Sequence, residues 1–225
     1  MHRFFDSEKE PMDLKERIIE NASTLFFQKG VKSMTMSDIA NELGISKRTL
    51  YEVFRDKEDL LENCIGSHIV KADKAIQTLT ENSEDVIDTF MHLFARYLNE
   101  LRTINRLVMY ELKKYHPNLY KKIELKQKED VHVLFPLLDK GVKQELIRKD
   151  VNIEIILWLV KSQFRALISD EYLPIEKYSI NEFIQTIILT FIRGIATPSG
   201  IEKVDSIIER FNNQGYFSEE IKENN

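Results

Sequence analysis

Glycine and proline are scarce, at seven and five among 225 residues. A β-rich chain of this length turns often and uses both residues to do so, which argues against one. Cysteine is scarcer still. The single Cys64 excludes an internal disulfide framework and suits a reducing compartment, so a cytoplasmic location is expected. No apolar run reaches the roughly 18 residues of a membrane helix, and no signal-peptide pattern opens the chain, so no membrane association is expected. An excess of basic charge is also missing. The formal net charge of −5 argues against a generic nucleic-acid binder, though not against a local basic face. The five histidines (2, 68, 92, 116 and 132) form no two-histidine helical motif with a carboxylate or cysteine at matching spacing. There is no nucleophile elbow, no phosphate-cradling glycine loop and no dinucleotide fingerprint. Neither a catalytic residue nor a metal nor a cofactor is expected.

What the chain has is long helical periodicity. A hydrophobic content of 43% supports a real core, no strand pairs stand out, and the fold class is all-α. The densest signal lies at residues 35–54, TMSDIANELGISKRTLYEVF. Thr35 followed by Asp38 makes a capping box, Ile39, Ala40 and Leu43 form an apolar stripe, and Gly44 supplies the left-handed residue that ends a helix. Ser46 opens a second helix whose Leu50, Val53 and Phe54 face inward. Lys47, Arg48, Thr49 and Tyr51 are left on or near the outer side, with donors suited to phosphates and base edges. Cap, turn, apolar pattern and donors coincide as in a helix-turn-helix. Between Lys29 and Lys57 there are six Lys/Arg against four acids, a local positive excess in an acidic chain.

Residues 36–61, and SDIANELGISKRTLYEVFRDKEDLL in particular, resemble the DNA-binding signature of the tetracycline-repressor (TetR) family of bacterial regulators. The shared positions are Ile39-Ala40, Gly44-Ile45-Ser46, Thr49-Leu50-Tyr51, Phe54, Lys57-Glu58 and Leu60. One departure is notable: many members carry glycine where this chain has Arg48. The resemblance implies double-stranded operator DNA as partner, contacted by Thr35, Ser37, Ser46, Lys47, Arg48, Thr49, Tyr51 and Lys57. It also implies a three-helix DNA-binding domain over residues 12–72 and a larger helical effector-binding and dimerisation domain over residues 73–215.

Either side of the motif the reading is coarser. Residues 1–12 read as a polar leader, and 13–29 as an amphipathic helix closed by Gly30. Asp56 opens another helix, with Lys57 in its first turn able to join backbone N–H groups on a phosphate. Cys64 sits among Leu61, Ile65 and Ile69 and reads as a small buried hydrophobe. The charged run Lys121–Glu129 reads as a solvated helix face with i,i+4 pairs; Pro136 predicts a kink in a pattern that is helical on both sides, and Gly141 with the polar stretch to Asp150 ends the element. Residues 84–138 are rich in aromatics and methionine, a texture that fills a core as readily as it lines a pocket. The resemblance implies a cavity there for an unidentified apolar or amphipathic small-molecule effector. Candidate lining residues are Phe90, Phe94, Tyr97, Met109, Tyr110, His116 and Tyr120, with His92, Arg96 and Asn99 interleaved among them. Residues 153–168 and 183–195 are apolar around most of their circumference, more than one buried stripe requires. That predicts a homodimer through Trp158, Phe164, Phe183, Ile187, Ile188, Phe191 and Ile195, with Gly194 allowing close approach. Two functions follow: an effector-responsive regulator, most simply a repressor on a near-palindromic operator, or an all-α enzyme or small-molecule carrier whose helix pair is incidental.

Overall fold

The structure, a computed structural model, describes residues 13–81, 85–103, 106–169 and 177–213. Their side chains are described except at 97–98, 100–103, 106, 127–133, 161, 164–169 and 180. All named elements among the described residues are α-helices, in agreement with the all-α reading. The chain divides into two compact units, Met1–Lys71 and Ala72–Asn225, and the division falls inside one helix.

The first unit holds α1 (Leu14–Lys29), α2 (Met36–Glu42), α3 (Lys47–Val53) and the start of α4 (Lys57–Glu81). Its core is built from Ile18, Ala22 and Phe26 of α1, Ile39 and Ala40 of α2, Leu50 of α3, Phe54 beyond it, and Leu60, Leu61 and Cys64 of α4. Full burial of a leucine or phenylalanine contributes about 1.5–3 kcal/mol. Two-turn helices such as α2 and α3 do not persist alone in water, so this shared core holds them.

Local signals set the boundaries. The Thr35–Asp38 capping box is present in both directions: the Thr35 N–H donates to Asp38 Oδ2 at 2.9 Å and the Asp38 N–H to Thr35 Oγ1 at 3.2 Å. After Leu43, Gly44 takes φ +64°. The Gly44 N–H reaches Asn41 O and the Ile45 N–H reaches Ala40 O, a Schellman closure that needs its left-handed residue. Ser46 Oγ caps α3 through the Thr49 N–H at 3.0 Å. Asp56 Oδ1 accepts from the Asp59 N–H at 2.8 Å while Asp59 Oδ2 accepts from the Arg55 N–H at 2.9 Å, which fixes the start of α4. Asp13 at the head of α1 makes no side-chain cap bond.

The Thr35 hydroxyl and backbone N–H hold the Asp38 carboxyl below its ordinary 3.8. The Asp59 N–H does the same for Asp56. A depressed carboxyl stabilises the fold above its unfolded pKa, and that stabilisation is lost as pH falls through the folded value. Both caps therefore weaken on the acid side.

The second unit contains α5 (Val86–Thr103), α6 (Arg106–Tyr115), α7 (Pro117–Lys143), α8 (Ile153–Ser169), α9 (Ile180–Ile195) and α10 (Pro198–Asn213). One core joins Ile87 and Met91 of α5, Leu138 of α7, Leu157 of α8, Ile188 of α9 and Phe211 of α10. Ser179 and Glu182 form the second capping box, at the head of α9. The α10 helix is also tied to α5 by charge: Lys203 Nζ lies 2.6 Å from Asp85 Oδ2, Arg210 pairs with Asp88, and His92 meets the Phe211 ring edge-on at 5.0 Å.

The α7 helix runs on through Pro136 and ends at Lys143, within the stretch from Gly141 to Asp150 where the sequence placed its end. Gly141 is a packing glycine, since a Cβ there would stand 2.5 Å from Ile147 Cδ1. The last helix starts at Pro198, because proline is pre-shaped for a first turn. Lys126 in the charged run is not simply solvated and pairs with Asp73 at 2.7 Å; Lys128 and Glu129 of that run lie outside the described side chains. The connections α7–α8 and α9–α10 are clasped by hydrogen bonds from Arg148 N–H to Ile195 O (2.8 Å), Thr197 N–H to Leu146 O (3.0 Å) and Thr197 Oγ1 to Glu145 O (2.6 Å).

Cys64 is fully buried, and its thiol donates to Ile19 O at 3.6 Å. Burial pushes the thiol up to about 11, so at neutral pH it is protonated and a poor nucleophile. Iodoacetamide at pH 7.5 is expected to leave the folded protein unlabelled and to label it once in denaturant, as read by intact mass. Rapid labelling of the folded chain would contradict this placement.

Candidate nucleic-acid interface

Leu50 and Phe54, buried to 1% exposure or less, fix the rotation of α3 about its own axis. That rotation places Lys47, Arg48, Tyr51 and Glu52 on the exposed side. The Lys47 ammonium lies 5.8 Å from the centre of the Tyr51 ring. Arg48 Nε donates to Glu52 Oε1 at 3.0 Å. Ser46 Oγ and Thr49 Oγ1 share a hydrogen at 2.8 Å, and Thr35 Oγ1 donates to Asp38 Oδ2 at 2.6 Å. The hydroxyls of Thr35, Ser46 and Thr49 are thus engaged in shaping the helix starts. Ser37, half-buried, is in the first turn of α2, and half-buried Lys57 is in the first turn of α4. Lys57 lies near enough to Asp38 for its charge to help lower that carboxyl.

Each of the four acids between Lys29 and Lys57 is locally engaged. Asp38 caps with Thr35, Glu42 pairs with Lys29 at 2.6 Å, Glu52 pairs with Arg48, and Asp56 caps α4 beside Arg55. Glu52, on the outer face of α3, offsets part of the charge that Arg48 brings there, and Lys47 projects beside them. A short helix locked by its core, presenting two cations and a phenol, is a form that enters a major groove. Glu52 is the functional candidate that a residue-type scan passes over. Its spacing of four from Arg48 was the available signal.

The other candidate residues fall into three groups. Phe90 is buried in the second unit's core and stacks on half-buried Phe94 at 6.2 Å. Met109, His116 and Tyr120 are half-buried. Tyr110 is corrected: it is 56% exposed, with its hydroxyl 3.1 Å from Lys114 Nζ. An aromatic is not inward merely for being aromatic: Val108 and Leu112 take the inward face of α6, and Tyr110 lies on the outward one. Asn99 is likewise exposed, and Arg96 reaches the Ala72 carbonyl at 3.4 Å. The side chain of Tyr97 lies outside the described residues. Composition gave no hint of Glu111, a carboxylate 5% exposed on the same face of α6 as Val108 and Leu112.

On α8, Ile155, Trp158 and Leu159 are 56, 56 and 49% exposed and share one face at i, i+3, i+4 spacing. On α9, Thr186, Thr190 and Gly194 are exposed at intervals of four, and a Cβ at Gly194 would meet nothing within 4 Å. Phe183, Ile187 and Phe191 are half-buried. Ile188 and Ile195 are corrected: both point into the chain's own core and have almost no surface to offer a partner. The side chain of Phe164 lies outside the described residues. No helix among them is long and apolar enough to cross a membrane.

This capped helix pair on a three-helix core defines a helix-turn-helix, DNA-binding regulator. Residues 18–64 match the sequence model of the family described as "Bacterial regulatory proteins, tetR family". The chain is similar to the uncharacterised HTH-type transcriptional regulator YvaF of Bacillus subtilis, at 26% identity over 81% of this chain and 95% of that protein. The negative transcriptional regulator of the biofilm operon icaADBC, IcaR of Staphylococcus epidermidis, is 27% identical over 72% of this chain and 89% of its own. In fold it resembles a TetR-family regulator from Marinobacter aquaeolei, with TM-score 0.67 and 18% identity over 89% of this chain and 99% of the other.

Proposed function

We propose that the protein is an effector-responsive transcriptional repressor that binds a near-palindromic operator as a homodimer. Residues 12–72 form its DNA-binding domain and residues 73–215 its effector-binding and dimerisation domain. The observation that carries the reading is the outer face of α3, where Lys47, Arg48 and Tyr51 project from a helix locked by Leu50 and Phe54. Repression is favoured because a relative matched over 89% of its own length is named a negative regulator.

The exposed apolar face of α8 beside the small-residue line of α9 supports pairing of two chains about a two-fold axis. Such a pair sets the two recognition helices about one DNA turn, or a multiple of it, apart. The half-buried Phe94, Met109, His116 and Tyr120 support an apolar or amphipathic effector in the second unit. That effector releases DNA if it prefers the conformer with the wrong spacing, and operator DNA then weakens effector binding by the same factor.

Substitutions on the reading face test the proposal. Lys47→Ala and Arg48→Ala are each expected to cost about 1–3 kcal/mol on the operator and to relax preference at one position. Tyr51→Phe and Lys57→Ala are expected to weaken all sequences alike, as lost phosphate contacts do. Lys57→Ala should also flatten the salt dependence by about one unit of slope. Fluorescence anisotropy on operator and scrambled duplexes reads both effects. Unchanged affinity across all four variants, with helical content intact, would remove α3 and the start of α4 from the DNA interface.

A further inference from the structure

The outer face of α3 carries an acid where a DNA-reading helix has reason to avoid one. Glu52 is 60% exposed and Arg48 89% exposed in their side chains, one helical turn apart, with Arg48 Nε on Glu52 Oε1 at 3.0 Å. A carboxylate there repels phosphate, so it weakens any contact made by charge alone. Its effect on the arginine is different. A guanidinium has five N–H donors in a rigid plane. A carboxylate oxygen held at Nε leaves the terminal edge, with parallel N–H groups on Nη1 and Nη2, pointing onward. That edge matches the O6 and N7 acceptors of guanine in the major groove. Without the carboxylate, an arginine this exposed samples many rotamers, and ordering them opposes base recognition. Lys47, stacked against Tyr51 on the same face, has a compact point charge and gains no comparable directionality from a partner.

We propose that Glu52 is a positioning residue, which holds the Arg48 guanidinium with its terminal edge presented to a guanine and does not itself touch the base. This rests on the reading of α3 as the recognition helix. The device also raises specificity from the other side, because the same carboxylate lowers affinity for DNA of the wrong sequence.

The test uses the full chain. The preferred site is selected from a randomised duplex library with the wild-type protein. Affinities are then measured for that site, for each single-base variant of it, and for random-sequence duplex, using wild type, Arg48→Ala, Glu52→Ala, Glu52→Gln and the Arg48→Ala/Glu52→Ala double variant. Arg48→Ala is expected to relax one guanine in each half-site by about tenfold. Glu52→Ala should relax the same guanine by a comparable factor while binding random duplex about two- to threefold more tightly. Glu52→Gln still offers an amide oxygen to Nε and is expected to keep the guanine preference, although it too has lost the charge. The double variant should lose no more preference than either single one.

If Glu52→Ala relaxes a cytosine elsewhere in the site, Glu52 reads a base directly and the positioning role is overturned. If Glu52→Ala leaves every preference intact while Arg48→Ala relaxes one, the positioning role is overturned and the reading of α3 survives. An Arg48→Ala variant that changes no preference overturns this proposal alone, and a wild-type protein that selects no consensus overturns the reading of α3 and this proposal with it.

Discussion

Trp158→Asp is expected to turn a dimer into a folded monomer. Ile155, Trp158 and Leu159 share one face of α8, each about half exposed or more, and a contiguous apolar face of this kind on a soluble chain marks an interaction site. Beside it, α9 offers Thr186, Thr190 and Gly194, side chains short enough for another helix pair to approach closely. Truncating a tryptophan at the centre of such an interface typically costs 2 kcal/mol or more, and an unpaired carboxylate in its place adds several more. Sedimentation at micromolar concentration should show the wild type as a dimer and the variant as a monomer with the same helical content. Affinity for a duplex with both half-sites should fall by about 100-fold or more, because the second half-site no longer adds to the first. Ile188→Asp should behave differently. Ile188 is 1% exposed in the core of its own chain, so its replacement should unfold the second unit rather than separate two folded chains. A wild-type monomer, or a Trp158→Asp dimer, would contradict the proposed face.

The second large effect is expected at Gly200. An added Cβ would run into the Leu146 carbonyl oxygen, with the Leu146 carbonyl carbon and Ala196 Cβ close behind at 3.1 Å each. The obstacle is largely backbone, so no side-chain rotation relieves it. Gly200→Ala therefore has to open the clasp between the α7–α8 and α9–α10 connections and loosen the bonds from the Thr197 N–H to Leu146 O and from Arg148 N–H to Ile195 O. Overpacking of about 1–3 kcal/mol and about 1 kcal/mol for each of the two hydrogen bonds disturbed give a loss of about 3–5 kcal/mol. In a domain of this size that lowers Tm by roughly 6–20 °C. Thermal unfolding followed by circular dichroism measures it, and a Tm unchanged within 2 °C would mean that the two connections are not locked together.

The helix-turn-helix was legible because its signals are local and redundant. Thr35–Asp38, Gly44 and Ser46 each act within five residues in sequence, and Leu50 and Phe54 then fix which face is inward. The clasp was not legible, since nothing near Gly200 in the sequence announces that Leu146 will lie against it. The packing role of Gly141 was hidden for the same reason, since nothing beside it in the sequence announces that the Ile147 side chain will lie against it. The dimer face was half legible. Helices α8 and α9 are apolar around most of their circumference, so periodicity announces two buried sides without saying which residue serves which. Ile188 and Ile195 were therefore placed on a partner and lie in the chain's own core, whereas Ile155 and Leu159 are the exposed ones. Tyr110 shows the remaining weakness, because residue type cannot tell a buried ring from an exposed one.

The central claim is that α3 reads DNA, and a footprint of the full-length protein on the duplex upstream of its own gene tests it most directly. The account predicts a protected, near-palindromic site whose half-sites are centred about 10–10.5 base pairs, or a multiple, apart. Affinity should fall steeply and linearly on a log–log plot against salt, and the protection should be lost with Lys47→Ala/Arg48→Ala. Uniform protection without sequence preference, or a site that the double substitution leaves intact, would contradict it.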